Sequence, residues 1–134
     1  EVFDVASIIE RLKARPEDLF AGRGTTPTRI TEAEEVLGVQ FSEDYKKILL
    51  EFGVIAFDGH ELTGITANPR ISVVDTTKRL RSDNPDVSPD WYAIEEANID
   101  GITVWQETSG TVYGIIPGNK PFKIANNLSD FLKL

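Results

Sequence analysis

The chain has 134 residues, of which 22 are acidic and 14 basic, so its formal net charge is −8. It contains no cysteine, which excludes disulfide scaffolds, thiolate metal sites and cysteine nucleophiles. Nucleic-acid binding through phosphates requires clustered Lys and Arg, so we expect no nucleic-acid partner. No apolar run is long enough to span a bilayer, so we expect no membrane contact either. These properties predict one globular domain over residues 1–134 whose partners are basic.

Cysteine usage and the first residues bear on location. The absence of cysteine fits a reducing cytosol. Residues Glu1–Asp4 show neither the basic nor the apolar region of a signal peptide. We therefore expect a cytoplasmic protein.

A short helix is predicted at the start of the chain. Apolar residues between Val5 and Leu12 recur at helical spacing behind a cap at Asp4, and Pro16 ends the pattern. Residues 21–27 are rich in glycine, threonine and proline, which predicts a loop.

Two further helices are predicted before residue 54. Thr31 and Glu34 fit a capping box that opens a helix ending at Gly38. Ser42 is placed to cap the next helix, which ends at Gly53. The apolar face of that helix consists of Tyr45, Ile48, Leu49 and Phe52.

The second half predicts short strands joined by glycine turns. Residues 54–57 and 61–63 fit a hairpin or two short strands. Residues 73–80 fit a helix or a turn-rich crossover, of which we favour the helix, and a loop is predicted over 82–89. An antiparallel meander is predicted from three β-prone segments, residues 91–94, 102–107 and 111–116. Asn127 is placed to cap a closing helix that carries Leu128, Phe131 and Leu132. The expected fold class is therefore α+β, with N-terminal helices packed on an antiparallel β-meander and a C-terminal helix.

Candidates for catalysis are few. His60 is the single histidine, so a metal site built from several imidazoles is excluded, and no serine lies in a nucleophile elbow. Gly22 and Gly24 lack the remaining residues of a dinucleotide or P-loop fingerprint. We interpret His60 as a polar residue beside a hairpin turn, and we expect no catalytic residue and no cofactor.

One segment imitates a calcium-binding loop. Glu96, Asn98, Asp100 and Glu107 follow the ligand spacing of an EF-hand. An EF-hand loop lies between helices, however, whereas residues 103–105 are strongly β-prone. We therefore favour a hairpin with Asp100 in its turn and expect no metal site.

Charge and aromatic residues are segregated along the chain. Residues 82–119 contain no Lys or Arg and carry −7 of the net charge of −8. The acids in this stretch are Asp83, Asp86, Asp90, Glu95, Glu96, Asp100 and Glu107. The same stretch contains Trp91, Tyr92, Trp105 and Tyr113.

Carboxylates mixed with large aromatic side chains suit an interface for a basic protein. We predict that the seven acids bind the partner, with Trp105 and Tyr113 as aromatic anchors if they are exposed. The alternative is that the aromatic side chains belong to the core and the acids form a solvated face.

The helical motifs resemble those of a known family. Its "I-x-x-x-E-x-x-L-G" pattern is matched by Ile30, Glu34, Leu37 and Gly38, and the helix pattern that follows by Tyr45, Leu49, Phe52 and Gly53. A hairpin pattern is matched by Phe57, Gly59, Glu61, Leu62 and Gly64, and a C-terminal pattern by Leu128, Ser129, Phe131 and Leu132. Ser42 stands where the pattern usually has proline. In order and extent these motifs resemble the SUKH superfamily, also called the Smi/Knr family.

The resemblance implies an α+β domain that acts by binding. Bacterial members of the family are immunity proteins that neutralise polymorphic or contact-dependent toxins, often nucleases, and fungal members are regulators of cell-wall synthesis and signalling. It implies no shared catalytic residues. Our hypothesis is a cytoplasmic immunity protein for a toxin of nuclease type. The alternative is a regulatory scaffold domain, and an enzyme ranks last.

Overall fold

The computed structural model describes residues 5–97 and 101–134. Its helices are α1 (Val5–Lys13), α2 (Pro27–Leu37), α3 (Glu43–Phe52), α4 (Val73–Asp83) and α5 (Leu128–Leu132). Its strands are β1 (Leu19–Ala21), β2 (Ile55–Phe57), β3 (His60–Leu62), β4 (Tyr92–Glu96), β5 (Thr103–Gln106), β6 (Val112–Ile115) and β7 (Phe122–Ala125). This arrangement confirms the expected α+β class.

Two of the predicted caps hold their helices as expected. The Ser42 hydroxyl accepts a hydrogen bond from the Tyr45 N–H at 3.3 Å, and the Asn127 side chain accepts one from the Asp130 N–H at 2.8 Å. Gly38 ends α2 in the left-handed region, with φ of 69°. The cap predicted at Asp4 lies outside the described residues.

The start of α2 corrects the sequence analysis. The helix begins at Pro27 behind a cap at Thr26, one turn before the capping box predicted at Thr31 and Glu34. A proline at the first helical position costs nothing, because its missing N–H would have no partner there. Glu34 does not reach back to Thr31; its carboxylate instead accepts the N–H of Phe41 at 2.8 Å.

The strands form two antiparallel sheets that meet along one seam. The first has the order β1-β2-β3 and the second the order β4-β5-β6-β7. At the seam, the Thr63 N–H donates to the Ile94 carbonyl at 2.8 Å and its hydroxyl donates to the Ala93 carbonyl at 2.7 Å. The predicted hairpin and meander are confirmed, but the outer strands β1 and β7 were not predicted. The helix predicted over 73–80 continues to Asp83.

An aromatic cluster fixes α3 on the second sheet. The ring centroids of Phe41, Tyr45 and Tyr92 lie 4.8–5.3 Å apart. The Tyr92 hydroxyl accepts the N–H of Ser42 and donates to the Gln106 side chain, both at 2.8 Å. Burial raises the pKa of Tyr45 and Tyr92, so both phenols stay protonated and act as donors.

Three glycines allow the first sheet and α3 to pack backbone against backbone. A Cβ on Gly64 would lie 1.9 Å from the Gly53 carbonyl oxygen, and one on Gly24 would lie 1.9 Å from the Leu50 carbonyl oxygen. Gly53 itself has a φ of 73° at the end of α3. These positions accept no side chain without a shift of the backbone.

Candidate functional site: an acidic cleft

A cleft of about 720 Å³ opens between the end of α2 and the loop that joins α4 to β4, and residues just after β5 also line it. Four carboxylates line it: Glu34, Glu35, Asp90 and Glu107. Among the described residues that line it, none is Lys or Arg. Trp91 supplies an aromatic wall. We call this feature the acidic cleft.

Glu34 and Glu35 lie in the last turn of α2, where the partial negative charge of the helix end disfavours a carboxylate. Glu34 is compensated, because it accepts the Phe41 N–H and lies 3.9 Å from the Lys46 ammonium. Glu35 is exposed, and no hydrogen bond or ion pair of its side chain is found among the described residues. Its charge is therefore available to a partner.

Glu107 is held in place by two hydroxyl groups. It accepts hydrogen bonds from Tyr113 at 2.9 Å and from Ser109 at 2.8 Å. Burial raises the pKa of Tyr113 most and the Glu107 carboxylate raises it further, so the phenol stays a hydrogen-bond donor. The Tyr113 ring also stacks on Trp91, with centroids 4.0 Å apart. One wall of the acidic cleft is thereby ordered before any partner arrives.

Arg81, on α4, ties the two walls of the acidic cleft together. Its guanidinium donates to the Leu37 carbonyl at the end of α2, and to the Pro89 and Trp91 carbonyls across from it, at 3.0–3.3 Å. Its Nε is buried and has no hydrogen-bond partner among the described residues. Burial lowers the pKa of Arg81. Among the described residues, the guanidinium donates only to carbonyls, so it sets the separation of the walls without an ion pair to a cleft carboxylate.

The structure separates the predicted binding residues. Asp90 and Glu107 line the acidic cleft. Asp83 and Asp86 are exposed but line a second cavity, of about 330 Å³, together with Lys120. Asp100 lies outside the described residues, as does Asn98 of the EF-hand-like spacing.

The other predicted residues have structural partners. Trp105 is fully buried, and its indole N–H donates to Thr103 at 2.9 Å, so the condition for its being an anchor is not met. Glu96 is exposed and forms a bidentate ion pair with Arg79. Tyr113 is half-buried beneath Trp91.

Glu95 is buried at the seam between the two sheets. Its carboxylate accepts the Glu61 N–H at 2.8 Å and contacts His60 Nδ1 at 3.1 Å, so it bridges β3 and β4. The hydrogen bond to Glu95 raises the pKa of His60, whose ring also packs on Phe131 of α5 at 4.8 Å. Glu95 and His60 thus hold the sheets and α5 together.

Sequence reasoning missed two acids of the cleft and one internal network. Glu35 was not considered and Glu34 was assigned to a cap. Two carboxylates at a helix C-terminus are unfavourable, and this feature of the sequence could have indicated a binding surface at the end of α2. The buried Gln106 donates to Asp44 at 3.2 Å and to the Gly110 carbonyl at 3.0 Å. Asp44 in turn accepts the Leu128 N–H at 2.9 Å, which docks α5.

No described helix is long and apolar enough to cross a membrane. Among residues 5–97 and 101–134, no group of three or more His, Asp or Glu side chains is arranged to hold a metal ion. A family model described as SMI1-KNR4 cell-wall (SUKH_5) matches residues 5–133. A search of curated proteins gives no match.

Proposed function

Because the chain belongs to the SMI1-KNR4 (SUKH) family, we propose that it is an immunity protein that binds and neutralises a toxin domain. The observation that carries the proposal is the acidic cleft, with its four carboxylates, an ordered aromatic wall and no basic lining residue among those described. A toxin of nuclease type needs a basic groove for phosphate, and a surface of this charge is complementary to such a groove. We place the encounter in the cytoplasm and assign the chain no catalytic role.

The three cleft acids proposed to contact the toxin are Glu35, Asp90 and Glu107. Glu35 and Asp90 are exposed, and Glu107 is half-buried beside Trp91. Charges of one sign around a concave surface raise the rate of encounter with a basic partner, and the effect weakens as salt screens them. The toxin is therefore expected to bind faster at low ionic strength.

The first test is a growth assay with the neighbouring gene. The C-terminal domain of the protein encoded immediately upstream is expressed with and without this chain. Toxicity that the chain suppresses, together with co-elution of the two proteins, supports the proposal. A harmless domain, or one that kills in the presence of the chain, contradicts the pairing at this locus and favours the regulatory scaffold.

The second test asks whether the acidic cleft is the binding surface. The double variant E35K/D90K is compared with E10K/E17K, which makes the same change in net charge at exposed positions outside the cleft. Loss of two charge contacts, each worth about 1 kcal/mol or more, predicts that Kd rises at least about tenfold for E35K/D90K and not for E10K/E17K. Equal Kd values for the two variants would show that the cleft does not bind the toxin.

A further inference from the structure

Strand β7 forms the open end of the second sheet. One side pairs with β6, and no described strand pairs with the other side. Its residues from Phe122 to Ile124 are exposed and Ala125 is half-buried. An edge of this kind offers backbone N–H and C=O groups to an incoming chain. We call residues Phe122–Ala125 the β7 edge.

The β7 edge also exposes apolar surface. Phe122 is 43% exposed and Ile124 is 39% exposed, and both fold over Gly114 of β6. A Cβ on Gly114 would lie 2.8 Å from the Phe122 ring and 2.9 Å from Ile124, so the glycine makes room for them. Two of the six exposed large apolar side chains among the described residues, Phe122 and Ile124, therefore meet here.

The charge of this edge is opposite to that of the rest of the chain. Residues 120–134 carry three lysines and one aspartate, a net charge of +2, whereas residues 1–119 carry −10. Lys120 precedes the strand and Lys123 lies within it, and both are exposed. An acidic segment is therefore attracted to Lys123 and Lys120, although Asp83 and Asp86 line a cavity with Lys120 and offset part of its charge.

We propose that the β7 edge binds an extended segment of a partner protein, added as a further strand, in which carboxylates alternate with apolar residues. Alternation places apolar partner side chains beside Phe122 and Ile124 on one face and a carboxylate beside Lys123 on the other. Two copies of this chain pair less well, because two-fold pairing of their β7 strands centred on Lys123 brings two ammonium groups together. The inference is independent of the proposed function, since no residue of the β7 edge lines the acidic cleft.

The experiment uses the full chain and three synthetic seven-residue peptides. The first alternates Val and Glu, the second alternates Val and Lys, and the third is the Val–Glu peptide with alternate backbone nitrogens methylated. Backbone amide chemical shifts are followed during titration. The Val–Glu peptide is expected to shift amides of β6 and β7, whereas the Val–Lys and N-methylated peptides are expected to leave them unchanged.

Charge variants test the same contact from the side of the protein. K120E/K123E is expected to weaken binding of the Val–Glu peptide at least about tenfold, since each attraction becomes a repulsion. K47E/K78E makes the same change in net charge at exposed residues of α3 and α4 and is expected to retain binding.

Four results would overturn the proposal. They are no shift at β7 with the Val–Glu peptide, equal shifts with the N-methylated peptide, equal binding of the Val–Lys peptide, and equal weakening by both charge variants. Sedimentation provides a further check. If the wild-type chain sediments as a dimer and the F122S variant sediments as a monomer, a second copy of the chain occupies the edge, and the proposal is wrong.

Discussion

Replacing Glu95 with alanine is expected to destabilise the fold, because the carboxylate closes the seam between the two sheets. The change leaves the Glu61 N–H without its acceptor and removes the partner of His60. Hydrogen bonds to a charged group are worth about 1.5–3 kcal/mol each, and the lower half of this range applies because both bonds are only partly buried. The free energy of unfolding should therefore fall by about 3–4 kcal/mol.

The Glu95→Gln variant is expected to show a penalty that depends on pH. The Glu95 carboxylate raises the pKa of His60, so the folded state holds the imidazole proton more tightly than the unfolded chain does. This stabilisation is complete below the unfolded pKa of about 6.5 and is lost as the pH rises through the folded pKa. Glutamine keeps an acceptor for the Glu61 N–H but has no charge. The Glu95→Gln variant should therefore lose more of its free energy of unfolding at pH 5.5 than at pH 8.5.

Urea denaturation followed by tryptophan fluorescence measures both effects. Glu96→Gln is the matched control, because Glu96 is exposed and its ion pair with Arg79 is worth less than about 1 kcal/mol. The reasoning is refuted if Glu95→Ala costs no more than the control, or if the penalty of Glu95→Gln is the same at both pH values.

Three further variants probe the scaffold of the cleft and the core. In urea titrations, Gly64→Ala should lower the free energy of unfolding by more than about 2 kcal/mol and by more than Gly38→Ala does. A Cβ on Gly64 would meet the Gly53 carbonyl oxygen, whereas a Cβ on Gly38 would meet no atom. Tyr92→Phe leaves the buried Ser42 N–H and the Gln106 amide oxygen without a partner, so thermal and urea unfolding should show that the free energy of unfolding falls by about 2 kcal/mol. A fall of less than about 0.5 kcal/mol would show that these hydrogen bonds do not stabilise the fold. Arg81→Met should speed amide exchange in residues 84–91, whereas unchanged exchange would show that the guanidinium does not hold the cleft wall.

Local chemistry explains which elements could be predicted. Ser42 and Asn127 have side chains that bond the backbone N–H three residues on, so both helix starts follow from sequence alone. Thr26 before Pro27 predicts a helix start equally well, but the Thr31 and Glu34 spacing of a capping box was preferred, so the start of α2 was predicted too late. The capping-box prediction was wrong because the Glu34 carboxylate accepts the N–H of Phe41, beyond the end of the helix, instead of the N–H of Thr31.

The outer strands could not be predicted from their own residues. Strand β1 pairs with β2, which follows only after two helices, so no short turn marks β1 as half of a hairpin, and three of the four residues of β7 are exposed, so β7 shows no buried face. The same limit applies to the site. Sequence places Glu95 and Trp105 in an acidic aromatic stretch, but only the packing of the sheets shows that both point into the protein.

Among the described residues, the family motif and the acidic cleft share two positions, Glu34 and Gly38. Ile30, Leu37, Tyr45 and Leu49 of the motif are buried in the core, where they determine the fold. Glu34 belongs to both sets, and its bond to the Phe41 N–H explains its place in the motif as a brace for the connection between α2 and α3. The neighbouring Glu35 has no such bond and lies one residue outside the brace. The helix that supports the fold therefore also presents, at its end, a charge that can change to suit a partner without cost to the core.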